Sequence, residues 1–153
     1  MKAIIQRVLS CKLEVQDELI SQVEKGLVVF LGIQKIDTKK DADALCEKII
    51  NLRIFEDESQ KMNLSLKDIL GEIMVVSNFT ICANTKRGRR PSFEDAQLPE
   101  TARELYEYFC KKMSEIYTSQ KIKQGQFGSN MKITVVNDGP VNIIIESVDG
   151  KIN

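Results

Sequence analysis

The stretch VVNDGPVNIII, residues 135–145, holds two strand-forming halves separated by residues that strands avoid. Val135 and Val136 favour extended backbone, and so does the run from Val141 to Ile145. Between them, Asn137, Asp138, Gly139 and Pro140 are ordinary turn chemistry. Two readings follow. Either the segment is a loop that reverses the chain between two strands, or it presents bare backbone to a ligand. Gly139 imposes no side-chain clash on what approaches its carbonyl, and an X-Pro bond is the one place where a cis peptide is inexpensive.

Upstream, residues 2–15 alternate loosely through Ala3, Ile5, Arg7, Leu9, Leu13 and Val15 and predict a strand. Gln16–Glu18 predict a hairpin turn, with Leu19–Val23 returning as the partner. After Gly26, the apolar run LVVFLGI is consistent with a strand buried on both faces. Thr38 with Asp41 three positions on is a capping box with Asp in place of Glu, and opens a helix whose core stripe is Ala42, Leu45, Ile49 and Leu52. Residues 56–71 are polar and predict a loop, with Leu64, Leu66 and Ile69 packing down. EIMVVSNFTICA (72–83) predicts a central strand, and NTKRGRRPSFEDAQ (84–97) a basic loop. Pro99 sits at the first-turn position of a second helix faced by Ala102, Leu105, Phe109, Met113 and Ile116. The order of elements predicts one α+β domain over residues 1–153, with mixed, barrel-like sheets and two main helices packed on one side.

Composition narrows the chemistry. Lys plus Arg equals Asp plus Glu at 22 each, so net charge does not mark a general nucleic-acid binder. No stretch approaches the roughly 20 apolar residues of a membrane span, and the first residues lack a signal-peptide core, so a cytoplasmic protein without a membrane partner is expected. Cys11, Cys46, Cys82 and Cys110 form no CxxC pair and read as reduced, buried thiols. The chain has no histidine. A Ser-His-Asp site, a Cys-His site and a His-ligated metal are therefore excluded.

Three segments are candidates for a site, each with a plainer alternative. In VVSNFTI, strict alternation puts Ser77 and Phe79 on one face and Asn78 and Thr80 on the other. These are either satisfied polar residues at a strand end or a polar floor that orients water and stabilises an oxyanion. GQFGSNM (125–131) is either a bulge or tight connection, or a pocket wall. KRGRR (86–90) is either a solvated loop or a phosphate contact.

Taken in order with IIQRV (4–8), GLVVFLGI (26–33) and NLRIFED (51–57), these motifs resemble the D-aminoacyl-tRNA deacylase family in its bacterial and eukaryotic form, from Met1 to about Ser147. That family carries Ser-Gln-Xaa-Thr and Asn-Xaa-Gly-Pro-Val-Thr. Here they stand as Ser77-Asn78-Phe79-Thr80 and Asn137-Asp138-Gly139-Pro140-Val141-Asn142. Asn78 replaces a Gln and Asn142 a Thr, so polarity is kept while the amide at 78 is one methylene shorter.

The resemblance implies hydrolysis of the ester joining a D-amino acid to the 3′-terminal adenosine of tRNA, with glycyl-tRNA mischarged on tRNA-Ala as a secondary substrate, no metal or organic cofactor and no DNA partner. It implies a homodimer in which a cis Gly139–Pro140 motif reaches into the partner's site, where its carbonyls grip the substrate α-ammonium and its bulk excludes an L side chain. It assigns oxyanion stabilisation to the Phe79 N–H with Thr80 nearby, and water activation to the ribose 2′-OH. Ser77 and Asn78 would hold the substrate end. Phe127, Gly128 and Met131 would line the adenosine and aminoacyl pocket, and Arg7 and Asn137 would orient the Gly-Pro loop. Thr80 as a covalent nucleophile is the weaker reading, since no adjacent base is apparent. The alternative is a non-catalytic tRNA 3′-end binder weakened by Asn78 and Asn142.

Overall fold

A computed structural model describes residues 1–153. Strands β1 (Lys2–Val15), β2 (Glu18–Val23) and β3 (Gly26–Gly32) come first, then helix α1 (Lys39–Ile50). Short strands β4 (Phe55–Glu56) and β5 (Met62–Leu64) precede β6 (Glu72–Ser77), which passes into a 3₁₀ turn over Phe79–Cys82. Helix α2 (Pro99–Ile116) follows, then β7 (Ile122–Gln124), β8 (Lys132–Val148) and β9 (Lys151–Ile152).

Seven strands form one mixed sheet in the order β7-β6-β3-β1-β8-β9, with β2 also paired to β1. β1 runs antiparallel to β2, β3 and β8, whereas β3, β6 and β7 are mutually parallel. The hairpin turns on Gln16 and Asp17, both at positive φ (51° and 64°), which matches the twist of a two-residue connection.

The opening stretch neither ends a strand nor reverses the chain. Asn137 to Pro140 lie inside β8, which is continuous from Lys132 to Val148. Against β1 the register passes from Gln6 opposite Asn142 to Val8 opposite Asn137, so residues 138–141 have no ladder partner. The turn residues make a wide bulge, which locally kinks and twists the pair. A second slip between Val8 and Ser10 changes the phase of β1 again. Buried positions on β1 therefore run Ala3, Ile5, Arg7, Val8, Cys11, Leu13, and Leu9, expected inside, is 50% exposed.

These phase changes curl the sheet into a half-barrel with a cluster on each face. Ala3, Ile5, Leu27, Val29, Leu31, Ile73 and Val75 pack under both helices. Val8, Cys11, Leu13, Val28, Met74 and Val76 form the cluster on the other face, with Val23 of β2 and with Ile133 and Val135 of β8 packed against it. The run after Gly26 is thus buried on both faces, as its composition requires. Gly26 itself allows no substituent, since a Cβ there would lie 1.8 Å from the Glu72 carbonyl oxygen.

At the start of α1, the Thr38 N–H donates to Asp41 Oδ2 at 2.9 Å, the expected box. Ala42, Leu45 and Ile49 are buried, while Leu52 lies past the helix end and packs against the core. On α2, Ala102, Leu105, Phe109 and Met113 are buried and Ile116 is partly so. The polar stretch 56–71 is not simply a loop: β4 and β5 pair within it, and Leu66 is fully buried. No helix is long and apolar enough to cross a membrane.

Candidate active site

β3 and β6 run parallel to a common end, where Leu31 stands beside Ser77. Parallel strands leave a crevice at their carboxyl ends, and here one of about 750 Å³ opens. Its walls include Leu31, Ser77, Asn78 and Phe79 from the strand ends, and Phe127, Gly128 and Met131 from the segment before β8. The remaining side comes from Phe93 and from Ala96, Gln97, Leu98 and Pro99, which lead into α2.

The expected alternation beyond Ser77 does not occur. β6 ends there because Asn78 caps a 3₁₀ turn instead of continuing the strand. The Asn78 N–H still reaches the Leu31 carbonyl at 2.8 Å. Its side-chain Oδ1 accepts from the Thr80 N–H at 3.1 Å and the Thr80 hydroxyl at 2.5 Å. Short polar side chains compete with the ladder in this way, which is why a run so strand-like in composition turns early. Phe79 becomes the first residue of the turn, a position whose N–H has no intrahelical partner. Its side chain is 61% exposed and meets Phe93 edge-on, with ring centroids 5.1 Å apart.

Tyr106, which the periodicity of α2 did not single out, fixes the opposite wall. Its hydroxyl donates to the Val75 carbonyl at 2.8 Å, and its ring lies 5.7 Å from that of Phe127. Burial pushes its phenol pKa well up, so it stays a neutral donor. The Gly125 N–H bonds the same Val75 carbonyl at 2.9 Å, so α2, β6 and the 125–131 segment share one anchor. A tyrosine one position from the core stripe of a helix was the available signal. Phe93, an isolated aromatic in a polar loop, was another.

No charged side chain lines the cleft: apolar residues predominate, with Ser77, Asn78, Gln97 and Ser129 as the polar groups. Neither an acid–base pair nor a set of metal-ligating side chains stands on its wall. The four cysteines are buried and free, and burial raises the Cys11 thiol to about 11 and the Cys110 thiol to about 12.

Of the sequence candidates, Ser77, Asn78, Phe79, Phe127, Gly128 and Met131 meet at this cleft. Thr80 does not line it; its hydroxyl is turned back to Asn78. Arg7, Asn137, Gly139 and Pro140 form a second centre, at the β8 bulge, outside the cleft wall. There the Gly139–Pro140 bond is cis and both residues are exposed. Arg7, 3% exposed, donates from Nε to the Asp138 carbonyl at 3.2 Å and from a terminal nitrogen to the Ile54 carbonyl at 2.6 Å. It also pairs with the Asp138 carboxylate at 3.1 Å, so its charge sits under the bulge, not in solvent. Asn137 Oδ1 is buried without a hydrogen-bond donor, and Asn142 accepts from Gln6 Nε2 at 2.9 Å.

A family model described as D-Tyr-tRNA(Tyr) deacylase matches residues 4–146. The chain belongs to the D-Tyr-tRNA(Tyr) deacylase family. Relatives named D-aminoacyl-tRNA deacylase agree over nearly full length. That of Geotalea uraniireducens is 50% identical over 151 residues, covering 99% of this chain and 96% of its own. That of Aquifex aeolicus is 50% identical over 147 residues, covering 96% and 98%. That of Thermosipho melanesiensis is 48% identical over 147 residues, covering 96% and 97%. Among solved structures, one named c-Myc DNA Unwinding Element Binding Protein superposes with a TM-score of 0.92 at 40% identity, covering 96% of this chain and 99% of that one. A probable eukaryotic D-amino acid tRNA deacylase has the same fold, with a TM-score of 0.80 at 15% identity, covering 94% and 97%. The half-barrel with two helices is thus the fold of this deacylase family.

Proposed function

We propose that this member of the D-Tyr-tRNA(Tyr) deacylase family is an ester hydrolase that frees D-amino acids from tRNA, and that the β3–β6 cleft receives the 3′-terminal adenosine with its aminoacyl group. The observation that carries the reading is a cleft with no charged wall in a chain of this family. A neutral, largely apolar pocket suits a nucleoside flanked by rings such as Phe127 and Phe79. It offers no carboxylate for the substrate's α-ammonium, so that group must be held by backbone carbonyls. The bulged β8 offers those of two exposed residues, Gly139 and Pro140, and their place outside the cleft of their own chain supports delivery by a second copy. Charge-assisted N–H···O bonds then fix the ammonium. With the ester carbonyl also held, a D side chain points out to solvent and an L side chain meets the Gly-Pro wall. Glycine, lacking a side chain, passes, which makes glycyl-tRNA a secondary substrate.

Hydrolysis needs water attack on the ester carbonyl and stabilisation of the oxygen that becomes negative. The Phe79 N–H, at the open end of the turn, is the donor for that oxygen. With no acid–base side chain on the wall, the ribose 2′-OH of the substrate assists the water, and the protein positions the groups. Ser77 and Asn78 hold the adenosine end. Single-turnover release of D-tyrosine and L-tyrosine from tRNA tests the reading: rapid loss of only the D ester is expected. Equal rates for the two esters remove the chirality argument, and binding without turnover removes the catalytic one.

A further inference from the structure

We propose that the basic loop Lys86–Arg90 clamps the phosphates of a single-stranded RNA 3′ end as it leaves the cleft; this rests on the function proposed above. The loop is a hairpin on a fixed base. Asn84 and Ser92 exchange backbone hydrogen bonds of 2.8 and 2.9 Å, and Asn84 Oδ1 accepts from the Lys86 N–H at 3.1 Å. One residue beyond that base, Phe93 stacks edge-on against Phe79 and both line the cleft. The loop therefore rises from the rim of the pocket.

Its tip carries Lys86, Arg87, Arg89 and Arg90, all exposed, around Gly88 at φ 67°. None of them takes part in the chain's ion pairs. Glu94 and Asp95 lie just past the base, but neither comes within 4.0 Å of a loop cation. In a chain of zero net charge, four unpaired cations beside a neutral pocket form a concentrated positive field. The division of labour follows from the chemistry. The pocket has apolar and amide groups for a nucleoside and nothing for phosphate, whereas the loop has the reverse. A nucleotide strand whose terminal nucleoside fills the pocket has its next phosphates at the rim. Arginine forks and a lysine suit phosphate oxygens, and a short loop fits the exposed phosphates of a single strand.

The test uses the full chain with Lys86→Gln, Arg87→Gln, Arg89→Gln and Arg90→Gln combined, and two substrates: D-tyrosyl-tRNA and D-tyrosyl-adenosine, which lacks phosphate. Expected is a loss of about tenfold or more in kcat/KM on tRNA, carried by KM, with D-tyrosyl-adenosine cleaved at the wild-type rate. The slope of log(kcat/KM) against log salt should flatten by up to about 3, near 0.7 for each single-strand phosphate released. Unchanged kcat/KM on tRNA overturns the clamp, and so does an equal loss on both substrates, which would mark a structural role. If the wild type cleaves neither substrate, the deacylase reading fails, and the clamp is then judged by binding of a labelled RNA hairpin with an unpaired 3′ strand. Weaker binding by the variant sustains it. Equal binding, or tighter wild-type binding to duplex DNA than to that hairpin, overturns it.

Discussion

Arg7 shows how one side chain fixes the shape of a bulge. Its guanidinium takes the Asp138 and Ile54 carbonyls and the Asp138 carboxylate while almost fully out of water. Truncation leaves buried acceptors without donors, a larger loss than the net worth of the bonds. Arg7→Met, which keeps the apolar stem, is expected to lower stability by about 3 kcal/mol in urea unfolding and to reduce discrimination between D and L esters. Thr80 is the opposite case. It is exposed, its hydroxyl donates to Asn78, and no base stands beside it. Thr80→Ala should therefore keep kcat within about tenfold of wild type, since it costs roughly one neutral hydrogen bond. Loss of all turnover, with an acyl-enzyme trapped in the wild type, would instead make the hydroxyl a nucleophile. The inward place of Arg7 was legible in part, from its alternation with Ala3 and Ile5; its acceptors lie 47 and 131 positions away and were not.

Elements were legible where local chemistry and packing agree. The Thr38–Asp41 box, Pro99 at the head of α2 and the doubly buried β3 all appear as their residues require. Two boundaries were not legible, for opposite reasons. Asn78 ended β6 early because its amide competes with the ladder, and Asn137–Pro140 failed to end β8 because pairing with β1 resumes on both sides of the bulge. The second outcome depends on a long-range partner and is invisible in a window of ten residues. Asp41 binds such distant elements together. Burial alone would raise its pKa, but hydrogen bonds from the Gly150 N–H, the Thr38 N–H, and the Ser147 and Thr38 hydroxyls hold it below the ordinary carboxyl value. A carboxyl depressed in the folded state contributes stability that is fully present above its unfolded pKa, about 3.9, and is lost as pH falls through the lower folded value. Asp41→Asn is expected to cost about 2 kcal/mol at pH 7. The gap to wild type should narrow below pH of about 4, read from urea midpoints; a pH-independent gap would assign the effect to packing.

At the scale of the whole molecule, the two centres identified by sequence sit apart: the neutral cleft at the ends of β3 and β6, and the exposed Gly139–Pro140 bulge in β8. On the function proposed above, neither is a complete site. The cleft has no carboxylate for an ammonium, and Gly139 and Pro140 lie outside its wall. Around the bulge, β1 and β8 expose Leu9 (50%), Val136 (47%) and Ile144 (74%), with Ile144 on the face opposite Ile143 and the helices. On the function proposed above, a homodimer that buries Ile144, the most exposed of the three, carries each bulge towards the other copy's cleft. If so, Ile144→Asp, which puts a charge on that contact without touching either centre, should yield a folded monomer in sedimentation velocity and lose deacylation about a hundredfold. Crossed variants separate assembly from site sharing. Ser77→Tyr fills the cleft, and Gly139→Val forces a side chain against the Val141 N–H, 2.7 Å from the added Cβ, at φ 133°. Each should be inactive alone. After unfolding and refolding together, mixed dimers combine an intact cleft with an intact bulge across the interface, and activity should return. A mixture that stays silent while forming dimers would mean that each protomer builds its site from its own chain.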